Sequence, residues 1–115
     1  MTTQTDLGAV LDELYATLLS RKSADPGSSY TASLYAKGLD VILKKVGEEA
    51  AETIIAAKNQ DPSKLVYELA DLWFHCFVLM AERGVAPQQI ADELARRHGR
   101  SGLDEKASRP KSQTD

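Results

Sequence analysis

The sequence predicts an all-α fold, a helical bundle, on three observations. Apolar residues recur at three- and four-residue intervals through several long stretches. No stretch sustains the two-residue alternation of a half-buried strand. The strong breakers, Pro26-Gly27, Asp61-Pro62 and Gly84, fall between the periodic stretches rather than inside them. The expected architecture is two long antiparallel helices with shorter N- and C-terminal helices. Two such helices with broad apolar faces make half of a four-helix core, which dimerisation is expected to complete.

The first helix carries Leu7, Val10, Leu11, Leu14 and Leu18 on one face. The polar loop RKSADPGSS ends it. A second helical region runs from about Thr31 to Asn59, with Gly38 as a point of bending or splitting because glycine is a poor helix former. Its apolar stripe is Leu39, Ile42, Leu43, Val46, Ala50, Ile54 and Ala57. Asp61 then reads as an N-cap with Pro62 at the first helical position. The third helix, from about Ser63 to Arg83, is apolar nearly all round from Leu69 onward, so a central, buried helix is expected, with Trp73, Phe74, Phe77 and Cys76 in the core. Gly84 is a natural helix-ending residue. A last short helix near Pro87 to His98 shows Ile90 and Leu94, and Gly99 closes it. The chain reads as one domain over 1–109, with a polar, disordered tail at 110–115.

Composition bounds the function. Of 115 residues, 43% are hydrophobic and 27% charged, which is a globular balance. The net charge is -3, so nucleic acid and anionic membrane are not expected partners, and any polyphosphate ligand needs a cation between the two negative surfaces. The single cysteine, Cys76, allows neither an internal disulfide nor a cysteine-rich zinc site. The first residues lack a signal-peptide pattern and the longest apolar run is broken by Asp71 and His75, so a cytoplasmic protein is expected.

The segment KKVGEEAAE, Lys44 to Glu52, crowds Glu48, Glu49 and Glu52 into little more than one turn beside the apolar stripe. Gly47 removes a side chain at the centre of that cluster, leaving room for another backbone or a ligand. The next long helix presents Glu68, Asp71 and His75 on one face, with Asp71 inside an apolar run. Either set alone reads as a solvated charged face. Together on successive helices they point to a metal site, because a carboxylate in an apolar setting needs a compensating charge. His75 is expected to hydrogen-bond Asp71 or a neighbour rather than to ligate. A donor set of carboxylates favours Mg²⁺, with Mn²⁺ possible, over zinc. The Glu-x-x-His pairs of a di-iron bundle are absent from the sequence.

This pattern, E-E-x-x-E followed after fifteen residues by E-x-x-D, resembles the signature of the all-α nucleoside triphosphate pyrophosphatases, the MazG-like superfamily. Within it the chain most resembles the phosphoribosyl-ATP pyrophosphatases of histidine biosynthesis. Ser29-Tyr30-Thr31 with Leu34, KKVGEEAAE, Glu68-Leu69-Ala70-Asp71-Leu72 with His75, and the ending ELARRHGRSGLDEKASR carry that resemblance, from about Leu7 to Arg109. It implies hydrolysis of phosphoribosyl-ATP to phosphoribosyl-AMP and pyrophosphate by a homodimer. It implies a metal set of Glu48, Glu49, Glu52, Glu68 and Asp71, with Glu48 or Glu49 as candidate general base. Lys45, Arg96, Arg97, Arg100 and Lys106 are the candidate phosphate-binding residues. The competing readings are a house-cleaning or dUTP-type pyrophosphatase sharing the same acids, and a non-catalytic helical interaction module.

Overall fold

The computed structural model describes residues 5–110. It is all-helical over that range: α1 Leu7–Ser20, α2 Tyr30–Lys37, α3 Leu39–Lys58, α4 Pro62–Arg83, α5 Pro87–Arg97 and α6 Gly102–Ser108, with a 3₁₀ turn at Arg21–Ser23 after α1. The disorder expected of the tail falls largely on residues 111–115, outside the described range.

The long helices are set by their ends. At Gly38 the backbone takes φ 99° and ψ 178°, a conformation that excludes side-chain-bearing residues, and the expected long second helix becomes α2 and α3 there. The Asp61 carboxylate accepts from the Ser63 and Lys64 amides, with Pro62 opening α4 as expected. Gly84 ends α4 in the left-handed region, φ 72° and ψ 26°. Only Asn59 to Asp61 separate α3 from α4, so the two pack side by side and antiparallel.

The core is small. Leu18, Leu34, Ile42, Val78 and Ala81 form it, with Leu14, Tyr15, Tyr35, Phe74 and Phe77 packed around. The Tyr35 hydroxyl donates to the Leu18 carbonyl at 2.8 Å and ties α2 to the end of α1.

Several expectations need correction. Helix α4 is not buried all round: Val66, Tyr67, Leu69 and Trp73 are exposed, Trp73 at 43%. Cys76 is only partly buried. Leu7 and Val10 in α1, and Leu43 and Ile54 in the α3 stripe, are open as well. Helix α6 was not expected. Its one large apolar residue, Leu103, is 81% exposed, so no periodicity announces it. The Ser101 hydroxyl caps it by accepting from the Asp104 amide, and Glu105 anchors it to Arg96 of α5 at 2.7 Å.

Two glycines should respond to alanine with opposite signs. Gly38→Ala forces a side chain into the φ 99° conformation and should destabilise by about 1–3 kcal/mol. Gly47 is mid-helix, and a methyl group on its Cα would meet nothing within 4 Å, so Gly47→Ala should stabilise by about 0.5–1 kcal/mol. Denaturant titration of both variants measures the pair.

Candidate metal centre

The site forms where α3 and α4 face each other. On α3 the buried positions are Ile42, Glu49 and Ala56, seven residues apart, so the seam toward α4 runs through Glu49. On α4 they are Glu68, His75, Val78 and Ala81. Glu49, Asp71 and His75 each place one potential ligand atom within 4.8 Å of the others. From Glu49 and Asp71, three residues onward along α3 and three back along α4 lead to Glu52 and Glu68. In antiparallel helices these stand at one level, about 4.5 Å along the axis.

The acids differ in setting from expectation. Asp71 is not deep: its side chain is 37% exposed. The buried acids are Glu49, 7% exposed, and Glu68, 6% exposed. Glu68 pairs with Lys64 at 3.5 Å. Glu48 and Glu52 are exposed, and they and Glu68 lie outside the close Glu49–Asp71–His75 group.

Electrostatics single out Glu49. Burial pushes its carboxyl above the ordinary value of 4.5, and Asp71, within hydrogen-bond reach and negatively charged, pushes it further. Lys45, 3.6 Å away, pulls it down without cancelling the rise. For the Lys45 ammonium, burial favours the neutral form, but Tyr30, Glu48 and Glu49 together outweigh it and raise its pKa. This seam therefore carries more negative charge than it can neutralise alone. The oxygen-rich donor set fits a hard divalent cation.

His75 is 2% exposed, and both its ring nitrogens are engaged. Nδ1 lies 2.8 Å from the Asp71 backbone carbonyl, which can only accept, so Nδ1 carries a proton. In the neutral ring Nε2 then accepts from the Tyr30 hydroxyl at 2.9 Å. His75 thus bonds the Asp71 backbone and Tyr30 while also belonging to the group whose potential ligand atoms lie within 4.8 Å. Tyr30 was not singled out as a site residue. Its partner lies 45 positions away, and only its place in the SYT segment pointed to it.

A cleft of about 260 Å³ opens beside Asp71, walled by Tyr67, Ala70 and Phe74. The C-terminal cations sit elsewhere. Arg96 pairs with Glu93 and Glu105, both at 2.7 Å, and Arg97 with Glu93 at 2.8 Å. Arg96 and then Arg97 hold the Glu93 carboxyl down to about 2. Arg100 reaches Glu105 at 4.0 Å, while Lys106 enters no ion pair among the described residues. A cavity of about 320 Å³ adjoins Arg96, Arg97 and Arg109, and none of the α3 or α4 acids lines it.

The family model described as phosphoribosyl-ATP pyrophosphohydrolase matches residues 11–98, a span that contains every acid of the seam. The chain belongs to this family. It is 62% identical over 100 residues to a phosphoribosyl-ATP pyrophosphatase of Methylococcus capsulatus, covering 87% of this chain and 95% of that one. It is 53% identical over 104 residues to the protein of that name from Neisseria gonorrhoeae, covering 90% and 97%. With the counterpart from Nitrosomonas eutropha the identity is 48% over 109 residues, covering 95% and 93%.

Because folding raises the Glu49 pKa, its stabilising contribution is complete below 4.5 and is lost as pH rises through the raised value. In chelator, the melting temperature of Glu49→Gln should exceed that of the parent at neutral pH, and the difference should shrink as pH falls toward 4.5. Melting curves across that range test the sign.

Proposed function

We propose that this chain hydrolyses phosphoribosyl-ATP to phosphoribosyl-AMP and pyrophosphate, with Mg²⁺ or Mn²⁺ held by Glu49 and Asp71 and completed by Glu52, Glu68 and Glu48. The observation that carries the metal assignment is the Glu49–Asp71 approach: two carboxylates share a seam beside a buried histidine, with the Lys45 ammonium paired to Glu49. Family membership and the activity for which its relatives are named supply the reaction. Among the described residues no helix is long and apolar enough to cross a membrane, in keeping with a small-molecule substrate met in solution.

Hydrolysis breaks the anhydride between the α and β phosphates by in-line attack of water. A divalent cation, when bound, offsets the charge of the polyphosphate as it meets the acids. Lys45, at the edge of the acid group, is placed to meet the departing pyrophosphate oxygens. Glu48, exposed on the same turn as Glu49, takes the proton of the attacking water. The cleft bounded by Tyr67 and Phe74 offers an apolar wall beside Asp71 for the rest of the substrate. Arg96, Arg97, Arg100 and Lys106 remain candidates for its phosphate groups through exchange of their present ion pairs or across a subunit boundary.

A homodimer is part of this proposal. With Glu49 and His75 as facing lines and about 100° per residue, Leu43, Val46, Ala50, Ile54, Leu69 and Trp73 fall on one side of the helix pair. Lys45, Glu48, Glu52, Asp71, Tyr67 and Phe74 fall on the other. The acids and the uncovered apolar face are therefore opposite sides of one hairpin, and a second copy covering the apolar side completes a four-helix core while leaving the acids open.

Asp71→Asn and Glu49→Gln should each lower pyrophosphate release from phosphoribosyl-ATP by at least about a hundredfold, as expected when several kcal/mol of charge stabilisation are removed. Circular dichroism should stay helical. Full activity in chelator, or in both variants, overturns the metal assignment. Trp73→Glu should shift the protein toward monomer in sedimentation velocity.

A further inference from the structure

We propose that Tyr30 determines the coordination chemistry of this site by holding His75 out of it, so that a bound cation meets only oxygen ligands. The proposal rests on the metal-site reading above and adds to it a residue with an assigned task. His75 is close enough to ligate: a ring nitrogen belongs to the same 4.8 Å group as Glu49 and Asp71 oxygens, and Nδ1 stands 3.5 Å from an Asp71 carboxylate oxygen. An imidazole there would shift the donor set toward the metals that nitrogen favours, zinc among them, and away from Mg²⁺. A histidine ligates through an unprotonated nitrogen.

The structure supplies two bonds that use up both nitrogens. Nδ1–H donates to the Asp71 carbonyl at 2.8 Å, one helical turn back on α4. That bond is internal to the helix and holds the ring in place. In the neutral ring that leaves Nε2 as the only lone pair, and the Tyr30 hydroxyl then donates to it at 2.9 Å. The hydroxyl is fixed in turn: the Tyr30 ring stacks on Phe74 with centroids 6.4 Å apart and meets the His75 ring edge-on at 5.8 Å. Ser29 starts α2 by accepting from the Ala32 amide, and that cap sets Tyr30 as the first residue of the helix. Tyr30 is thus a positioning residue. It acts through His75, and its hydroxyl is the removable half of the arrangement, since the other half is backbone.

The test is Tyr30→Phe, which keeps the ring and its stacking and removes the donor. Mn²⁺ is loaded onto the full-length protein, and electron spin-echo modulation reads directly bound ¹⁴N. The parent should show oxygen ligation only. Tyr30→Phe should acquire a bound-imidazole signal, and its Zn²⁺-over-Mn²⁺ preference in competition titration should rise roughly tenfold, the scale on which outer hydrogen-bond partners move metal affinity. Both changes should vanish in Tyr30→Phe/His75→Gln. A nitrogen signal in the parent, or oxygen-only ligation with unchanged preference in Tyr30→Phe, overturns the proposal while leaving the carboxylate site standing. Failure of the parent to bind Mn²⁺ overturns this proposal together with the metal site. Circular dichroism and the melting temperature, read alongside, separate these outcomes from misfolding, and Tyr30→Leu, which also lacks a donor, gives a second variant should the phenylalanine form prove unstable.

Discussion

The contact on which the rest depends is a repulsive one. Glu49 and Asp71, from neighbouring helices, bring carboxylate oxygens within 4.8 Å of each other across a partly buried seam. Two unit charges about 4 Å apart at an effective dielectric near 20 interact by roughly 4 kcal/mol. A domain of this size has a total stability of roughly 5–15 kcal/mol, so the repulsion is a sizeable fraction of it. The chain lowers that load with one ammonium, Lys45 at 3.6 Å, and by raising the Glu49 pKa. An arrangement evolved only for stability would replace one acid by an apolar residue, as Ile42 and Ala56 already occupy the equivalent positions one heptad either side.

Holding two acids together requires that the helices cannot slide or turn. Three features supply this. The short Asn59–Asp61 connection, capped by Asp61 and opened by Pro62, fixes the phase of α4 against α3 at one end. At the other end, Ile42 and Val78, each 0% exposed, lock the pair against Leu18 and Leu34. Gly38 lets α2 fold back at once, with the residue conformation that only glycine takes readily, and so delivers Tyr30 to the His75 ring. The site is therefore built by helix ends and a small core at some distance from it, and the residues between are left for chemistry.

That division explains how much of the molecule was legible in the sequence. The helix ends were plain, because Asp61-Pro62 and Gly84 announce themselves locally. The acids were plain too, since E-E-x-x-E and E-x-x-D are local spacings. The orientation of α3 was not. Its apolar stripe from Leu39 to Ala57 reads as the inward face, yet Leu43 and Ile54 are exposed, and of that stripe the seam keeps Ile42 and then runs through Glu49 and Ala56. A hydrophobic stripe records burial against something without saying what, and a subunit surface and an internal seam leave the same periodicity. The same ambiguity made Asp71 look buried when Glu49 and Glu68 are the covered acids. Tyr30 was illegible as a partner of His75 because no pattern rule spans 45 residues. Helix α6 was illegible because ion pairs and a serine cap, rather than an apolar face, hold it.

The basic residues raise the last question of charge. Four of the five candidate phosphate-binding cations lie beyond α4, and three of them are committed to carboxylates within one chain: Arg96 to Glu93 and Glu105, Arg97 to Glu93, and Arg100 toward Glu105. A guanidinium already bidentate to a carboxylate has spent the fork geometry that makes it a good phosphate receptor. Lys45 differs. Its ammonium sits on the rim of the acid group with no nearer obligation than Glu49, a carboxylate whose own charge burial disfavours. An ammonium beside these acids is thus supplied by the acid-bearing helix itself. The C-terminal arginines use their charge to fasten α6 to α5, which keeps the final helix of an otherwise acidic chain in place without an apolar face to do so.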